Sequence, residues 1–133
     1  MPESIRVSTV LPTTPSLLYA AWLSSKEHSA FTGGGKATCS PRIGGKFTAW
    51  DGYISGANQA LEPNKRILQS WRTTEFHASA PDSSLEVLLE EVRGDTKITL
   101  VHTNIPDGQG ESYKQGWLDY YFEPMKEYFT KNP

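Results

Sequence analysis

The sequence GWLDYYFEPMK, at residues 116–126, predicts a helix with an unusually aromatic face. At about 100° per residue, its large apolar side chains and those just beyond it fall within one arc of about 140°. The arc consists of Trp117, Leu118, Tyr121, Phe122, Met125, Tyr128 and Phe129. The opposite side carries Gln115, Asp119, Glu123, Lys126, Glu127 and Thr130. Because so much apolar area has to be buried, this helix must lie against a concave apolar surface.

The chain before this helix is dominated by strand patterns. A first strand is predicted at residues 5–11, followed by two short helices that begin at the capping residues Thr14 and Ser24. Further strands are predicted at about residues 36–40, 46–50, 53–61, 66–73, 84–93 and 96–103. Most links between them are short and rich in Gly, Pro, Asn and Asp, which is typical of turns between antiparallel neighbours, and Pro81-Asp82-Ser83 closes a longer loop.

These elements predict an α+β fold of the helix-grip kind. One sheet of about seven antiparallel strands has a single apolar face to cover, and only the C-terminal helix is long and apolar enough to cover it. A strongly twisted sheet curved around that helix, with two short helices after the first strand, is the economical arrangement. Residues 1–133 contain no repeat, linker or low-complexity tract, so we expect a single domain.

Composition excludes several classes of function. The formal net charge is −2 and the basic residues are scattered singly, which argues against nucleic-acid binding. No apolar stretch is long enough to cross a bilayer and no secretory signal is visible, so we expect no membrane insertion. The lone cysteine, Cys39, fits a reducing compartment. We therefore expect a cytoplasmic protein.

No motif for a metal or a cofactor is found in the sequence. His28, His77 and His102 are far apart and lack the spacing of metal ligands. The glycines at 33–35 followed by a lysine resemble a phosphate-binding loop only superficially, because Ala37 stands where such a loop needs a hydroxyl. We expect neither a metal nor a cofactor.

Strand periodicity indicates which side chains face the space between sheet and helix. His102 shares a face with Ile98 and Leu100, and Gln69 shares a face with Trp71. Two inward polar groups in an apolar space could orient a ligand. The candidate cavity residues are Phe47, Gln69, Trp71, Ile98, Leu100, His102, Trp117, Tyr121 and Met125. An inward histidine is more often a hydrogen-bonded core residue than a catalyst, and no nucleophile–base–orienter set accompanies it, so no catalytic residue is predicted.

Two residues of the C-terminal helix depart from its simple pattern. Tyr120 falls outside the apolar arc, near the polar face, and is a candidate for an exposed contact. Pro124 removes one backbone hydrogen bond from the middle of the helix and predicts a bend there.

Several short motifs together resemble one known family. They are Gly44-Gly45-Lys46-Phe47, Asp51-Gly52 with Ser55-Gly56, Leu61-Glu62-Pro63 leading to Ile67 and Trp71-Arg72, Ile105-Pro106, and Gln115-Gly116-Trp117 with Tyr120-Tyr121-Phe122-Glu123. The set resembles the family of activator of heat-shock-protein-90 ATPase homologues, within the START-like, Bet v-like (SRPBCC) helix-grip superfamily. The resemblance covers nearly the whole chain and is strongest to the C-terminal domain of the family's eukaryotic co-chaperone.

The resemblance, taken together with the aromatic arc and the inward His102 and Gln69, leaves three alternative functions. The first is a non-enzymatic, co-chaperone-like or stress-related interaction module, with a chaperone or another protein as partner and a possible hydrophobic cavity. The second is the binding of a small hydrophobic molecule, lipid-like or aromatic. The third is a cyclase- or hydrolase-type enzyme that would use His102 as its acid–base group. The resemblance assigns no catalytic residue to this sequence, and a shared fold does not decide between these functions.

Overall fold

The computed structural model describes residues 2–132, which form a curved sheet and a helical rod that packs against it. The strands are β1 (Glu3–Leu11), β2 (Lys46–Ala49), β3 (Ile54–Glu62), β4 (Arg66–Thr73), β5 (Ser83–Val92) and β6 (Asp95–Ile105). Two short helices, α1 (Pro15–Trp22) and α2 (Ser25–Phe31), follow β1. The C-terminal rod runs without a break through α3 (Gly110–Gly116), a π-helical segment (Trp117–Phe122) and α4 (Glu123–Lys131).

All neighbouring strands of the sheet are antiparallel, in the order β1-β6-β5-β4-β3-β2. The predicted antiparallel sheet, the two short helices after the first strand and the C-terminal helix are therefore confirmed. Short turns join β2 to β3, β3 to β4 and β5 to β6, and a longer loop, residues 74–82, joins β4 to β5. β1 pairs with β6 and forms the edge opposite β2. In the part of the chain that the structure describes, no helix is long and apolar enough to cross a membrane.

The prediction of a seventh strand at residues 36–40 is wrong. Only Thr38 pairs with the sheet, through a single bridge to Thr48. The backbone N–H groups on either side of it donate instead to α2: that of Ala37 to Ser29 Oγ at 2.8 Å and that of Cys39 to Ser25 Oγ at 2.7 Å. These backbone N–H groups donate to the serine hydroxyls of α2 and are not available for pairing with a neighbouring strand. The sheet therefore has six strands.

The rod covers the inner face of the sheet with the predicted aromatic arc. Its buried side chains are Tyr113, Trp117, Tyr121, Phe122, Met125 and Phe129. They pack against inward residues of the strands and of the two short helices, which include Leu11, Leu18, Phe31, Ile67, Leu85, Ile98 and Leu100. The rod begins at Gly110, six residues before the motif that predicted it, and its backbone is π-helical just ahead of Pro124. A π-helix takes more residues per turn than an α-helix, so the side chains that follow are rotated.

A carboxylate ties the start of the rod to the edge of the sheet. Glu3 accepts hydrogen bonds from the backbone N–H groups of Gly108, at 3.0 Å, and Gly110, at 2.7 Å. These bonds favour the charged form and lower the pKa of Glu3 below its usual value. Because the N–H groups at a helix start lack partners within the helix, this contact positions α3 relative to β1.

Gly56 allows β2, β3 and β4 to approach closely. A Cβ atom at Gly56 would overlap the carbonyl oxygen of Ser70 and lie 2.7 Å from the ring of Phe47. We expect Gly56→Ala to lower the free energy of unfolding by about 2–4 kcal/mol, since neither the strand backbone nor the buried ring has room to move.

The matched control for this substitution is Gly116→Ala in the rod. Its Cβ atom would meet nothing closer than a ring carbon of Tyr120 at 4.0 Å. Because alanine favours a helix more than glycine does, this variant should be more stable than the parent by up to about 1 kcal/mol. Urea unfolding of both variants measures the two effects. Equal stabilities of the two variants would contradict the close approach at Gly56.

Candidate functional site

A partly open groove of about 390 Å³ lies between the rod and the end of the sheet formed by β3 and β4. Seven of its ten lining residues are aromatic. The lining residues are Trp50, Tyr53, Ile54, Trp71, Ser112, Tyr113, Gly116, Trp117, Tyr120 and Tyr121. None of them carries a formal charge. We call this feature the aromatic groove.

The rod supplies one wall of the aromatic groove. Tyr113, Trp117 and Tyr121 follow one another at intervals of four residues, and the ring centroids of the last two are 4.7 Å apart. Four residues overshoot one turn of an α-helix and fall short of one turn of a π-helix. The change of helix type at Trp117 therefore brings Tyr121 back into line with Tyr113. Between them, the missing side chain of Gly116 leaves the groove open.

The sheet supplies the facing wall. Trp71, on β4, makes edge-to-face contact with Tyr113 at 5.1 Å between ring centroids and tilted contact with Trp117 at 5.5 Å. These spacings are those of favourable aromatic pairs. Trp71 thus joins sheet to rod and forms the closed side of the groove.

The turn between β2 and β3 supplies the rim. Trp50 has a φ of 51°, a left-handed backbone conformation that bulky residues rarely adopt. Its ring lies against the backbone of Gly35, where a Cβ atom would come within 2.6 Å of it. The ring also meets Tyr120 edge to face at 5.8 Å, and Tyr120 is itself 61% exposed. The indole N–H of Trp50 is buried and has no hydrogen-bond partner within residues 2–132.

One end of the aromatic groove is polar. The Tyr53 hydroxyl donates to the carboxylate of Glu75, and burial together with this bond raises the pKa of Tyr53. The Tyr113 hydroxyl donates to Gln109 Oε1 at 2.6 Å, so it must accept from the Thr73 hydroxyl, also at 2.6 Å. Burial raises the pKa of Tyr113 as well. Both phenols are therefore neutral at physiological pH.

The structure separates the nine predicted cavity residues into two groups. Trp71, Trp117 and Tyr121 line the aromatic groove. The other six are buried away from it: Phe47, Gln69, Ile98, Leu100, His102 and Met125. The apolar members of this second group pack in the core, and the two polar members make hydrogen bonds there.

His102 links the rod to the sheet through a chain of hydrogen bonds. The Trp117 indole N–H can only donate, so at 3.1 Å His102 Nδ1 must accept and Nε2 must carry the ring proton. Nε2 donates to Ser83 Oγ at 2.8 Å, and the Ser83 hydroxyl donates to the Trp71 carbonyl at 2.7 Å. Burial lowers the pKa of His102 to about 3. Since Nε2 already holds a proton, it cannot take one from Ser83, as activation of a serine nucleophile requires.

His28 makes a second link, between α2 and the rod. Its Nδ1 proton is donated to the Trp22 carbonyl at 2.8 Å, so Nε2 accepts from the Tyr121 hydroxyl at 2.7 Å. Burial lowers the pKa of His28 to about 4 and raises that of Tyr121. Both polar atoms of the Gln69 side chain also have partners, because Oε1 accepts from Trp22 Nε1 at 3.3 Å and Nε2 donates to Asn58 Oδ1 at 2.9 Å.

Most of the aromatic groove was not among the predicted cavity residues. Tyr113 precedes Trp117 by one helical turn, so extending the predicted helix towards its N-terminus would have found it. Ser112 would have followed from the same extension, whereas Gly116 already lay inside the predicted helix and carries no side chain to signal a role. Trp50 and Tyr53 flank the Asp51-Gly52 turn, and nothing local in the sequence shows that this turn meets the rod.

The two buried histidines predict a specific dependence of stability on pH. Each has a folded pKa below the 6.5 of a free histidine, so between pH 6.5 and about 4 the unfolded chain binds protons that the folded chain does not. The free energy of unfolding should be highest above pH 6.5. It should fall on acidification by up to about 1.4 kcal/mol per pH unit for each histidine.

Urea unfolding between pH 7 and pH 5 tests this dependence, because carboxylate titration contributes little in that range. His102→Gln should reduce this slope relative to the parent protein, because the proton taken up at His102 on unfolding is then lost. Identical slopes for the variant and the parent would contradict the neutral state assigned to His102.

Comparison with known proteins gives the family. The sequence model described as Activator of Hsp90 ATPase homolog 1-like protein matches residues 12–130. Activator of 90 kDa heat shock protein ATPase homolog 1 from Homo sapiens is 32% identical over 117 residues, which cover 88% of this chain and 34% of the human protein. The corresponding Dictyostelium discoideum protein is 23% identical over 128 residues, 96% of this chain and 33% of the relative. The chain thus spans about a third of the length of these relatives.

Solved structures show the same fold. An HSP90 activator from Plasmodium falciparum superimposes with a TM-score of 0.85 at 22% identity, covering 94% of each chain. Ara h 8.0201 superimposes with a TM-score of 0.72 at 14% identity, covering 98% of this chain and 99% of that one. The START-like helix-grip fold predicted from the sequence is confirmed, and the chain belongs to the Activator of Hsp90 ATPase homolog 1-like family.

Proposed function

We propose that this domain is a non-enzymatic binding module that holds a small apolar ligand in the aromatic groove. The observation that carries the proposal is an open space of about 390 Å³ surrounded by seven aromatic rings. Ligand sites in proteins typically enclose about 300–1,000 Å³ and are lined mainly by apolar and aromatic side chains with a few polar groups. The lining residues that carry hydroxyls are Ser112 and the four tyrosines Tyr53, Tyr113, Tyr120 and Tyr121.

The position of the open space supports ligand binding outside the packed core. The space directly beneath the rod is filled where His102 meets Trp71 and Trp117, at centroid distances of 4.5 Å and 5.9 Å. The groove borders the same two indole rings, on the side of the β2–β3 turn, and His102 does not line it. A ligand there can enter without breaking the hydrogen bonds of His102.

The arrangement of protons around His102 argues against the cyclase- or hydrolase-type alternative. Both ring nitrogens are engaged, the side chain is 0% exposed, and neither His102 nor Ser83 lines the groove. A general acid–base group has to lie within hydrogen-bond reach of a substrate proton. The non-enzymatic alternative is therefore the better supported one.

A second candidate function is association with a chaperone of the Hsp90 type. It is supported by the membership of the chain in a family whose human relative, 32% identical, is named as an activator of the 90 kDa heat shock protein ATPase. Tyr120, whose side chain is 61% exposed beside Trp50, is the candidate contact residue.

Ligand uptake can be tested with a neutral apolar dye such as Nile red. Its fluorescence should rise on binding, and the tryptophans of the groove should be quenched. Gly116→Leu should weaken the affinity at least about tenfold, because the new side chain extends from the rod where only Tyr120 lies within 4.0 Å and fills space that the ligand needs.

The control variant for dye binding is Glu90→Gln, at an exposed position on β5 away from the groove, which should bind like the parent. The stability of both variants is checked by thermal unfolding. An affinity that is the same in Gly116→Leu as in the parent would place the dye elsewhere and would count against the proposal.

Chaperone association is tested with the purified Hsp90 chaperone of the source organism. The domain should co-purify with the chaperone and raise its ATPase rate, and Tyr120→Ala should weaken both effects if the exposed ring makes contact. Glu90→Gln again serves as the control. Absence of co-purification together with an unchanged ATPase rate would remove this second candidate and would leave ligand binding untouched.

A further inference from the structure

The electrostatic character of the aromatic groove distinguishes it from a merely apolar pocket. None of its ten lining residues is basic, acidic or a histidine. The face of an aromatic ring carries partial negative charge, so a site built from such rings favours cations over neutral groups of the same shape. Lys114, the basic residue of α3, is exposed and does not line the groove.

One carboxylate adds to this preference. At the polar end of the groove, the Glu75 carboxylate accepts a hydrogen bond from the hydroxyl of Tyr53, a lining residue. Glu75 takes part in none of the ion pairs formed within residues 2–132. Glu75 thus places a carboxylate against the hydroxyl of a residue that lines the groove.

Pairs of rings in the aromatic groove meet at steep angles. Trp71 and Tyr113 meet at 79°, and Trp50 and Tyr120 meet at 75°. Rings that meet near a right angle form adjoining walls instead of a flat stack. A compact cation placed between such walls can lie within about 6 Å of several ring centroids at once.

We infer that the aromatic groove binds an organic cation of the trimethylammonium class, with its methyl groups against the rings and its charge towards Glu75. This inference rests on the proposed function, because it requires that the groove takes up a ligand, and it goes further by naming the ligand's charge and shape. A neutral apolar ligand gains only from the area that it buries. A trimethylammonium ion gains from that area, from the ring faces and from the carboxylate.

The test compares choline with 3,3-dimethylbutan-1-ol, in which a carbon atom replaces the charged nitrogen and the shape is retained. Each compound is titrated into ¹⁵N-labelled protein, and the indole N–H signals of the groove tryptophans are followed. Choline should bind at least about fivefold more tightly than the alcohol.

Matched variants show which residues produce the preference for choline over the alcohol. Tyr120→Leu should remove most of the preference for choline, whereas Tyr120→Phe, which keeps the ring, should retain it. Tyr120 is exposed, so neither change threatens the fold. Glu75→Gln should weaken choline and leave the alcohol unchanged, and Glu90→Gln should alter neither.

The outcomes separate this inference from the function on which it rests. Equal or weaker binding of choline relative to the alcohol, or no binding of either while Nile red still binds in the groove, would overturn the cation preference and leave the proposed function standing. Failure of Nile red as well would overturn both. A preference for choline that survives Tyr120→Leu and Glu75→Gln would also overturn the inference, because the cation would then be bound elsewhere.

Discussion

Two buried, neutral histidines fix the orientation of the C-terminal rod about its own axis. His102 accepts a hydrogen bond from the indole N–H of Trp117, and His28 accepts one from the hydroxyl of Tyr121. A buried donor or acceptor without a partner costs roughly 1–3 kcal/mol, so a rotation of the rod that breaks either bond is strongly disfavoured. The face of the rod that carries Tyr113, Gly116 and Tyr120 is therefore held towards the β2–β3 turn, and the aromatic groove exists because of this orientation.

Much of the fold could be predicted because its signals are local and periodic. The alternation of strand residues, the turn chemistry and the aromatic arc of the rod each report a single element, and together they predicted the antiparallel sheet and the gripping helix. The strand expected at residues 36–40 failed for a non-local reason. The hydroxyls of Ser25 and Ser29 in α2 accept hydrogen bonds from the backbone N–H groups of this segment, in place of a neighbouring strand. The local sequence of residues 36–40 does not show that α2 packs there.

The site was harder to predict than the fold because strand phase shows which residues face inward and does not show whether the interior is filled. Ile98, Leu100 and Met125 face inward and pack solidly. Trp71 and Tyr121 face inward and border open space. The difference arises because Gly116 of the rod has no side chain and because the β2–β3 turn borders the space that this leaves.

Two unfavourable features of the fold meet in one residue at the rim of the aromatic groove. Trp50 combines a left-handed backbone with a buried N–H that lacks a partner within residues 2–132, and it stands at the rim beside the exposed ring of Tyr120. Deeper under the rod, by contrast, the polar groups of His28, Gln69 and His102 are all bonded. Strained backbone and unpaired polar groups lower the stability of a fold, and they occur more often at functional sites than elsewhere. A fold optimised for stability alone would have filled this space, as it filled the space around His102.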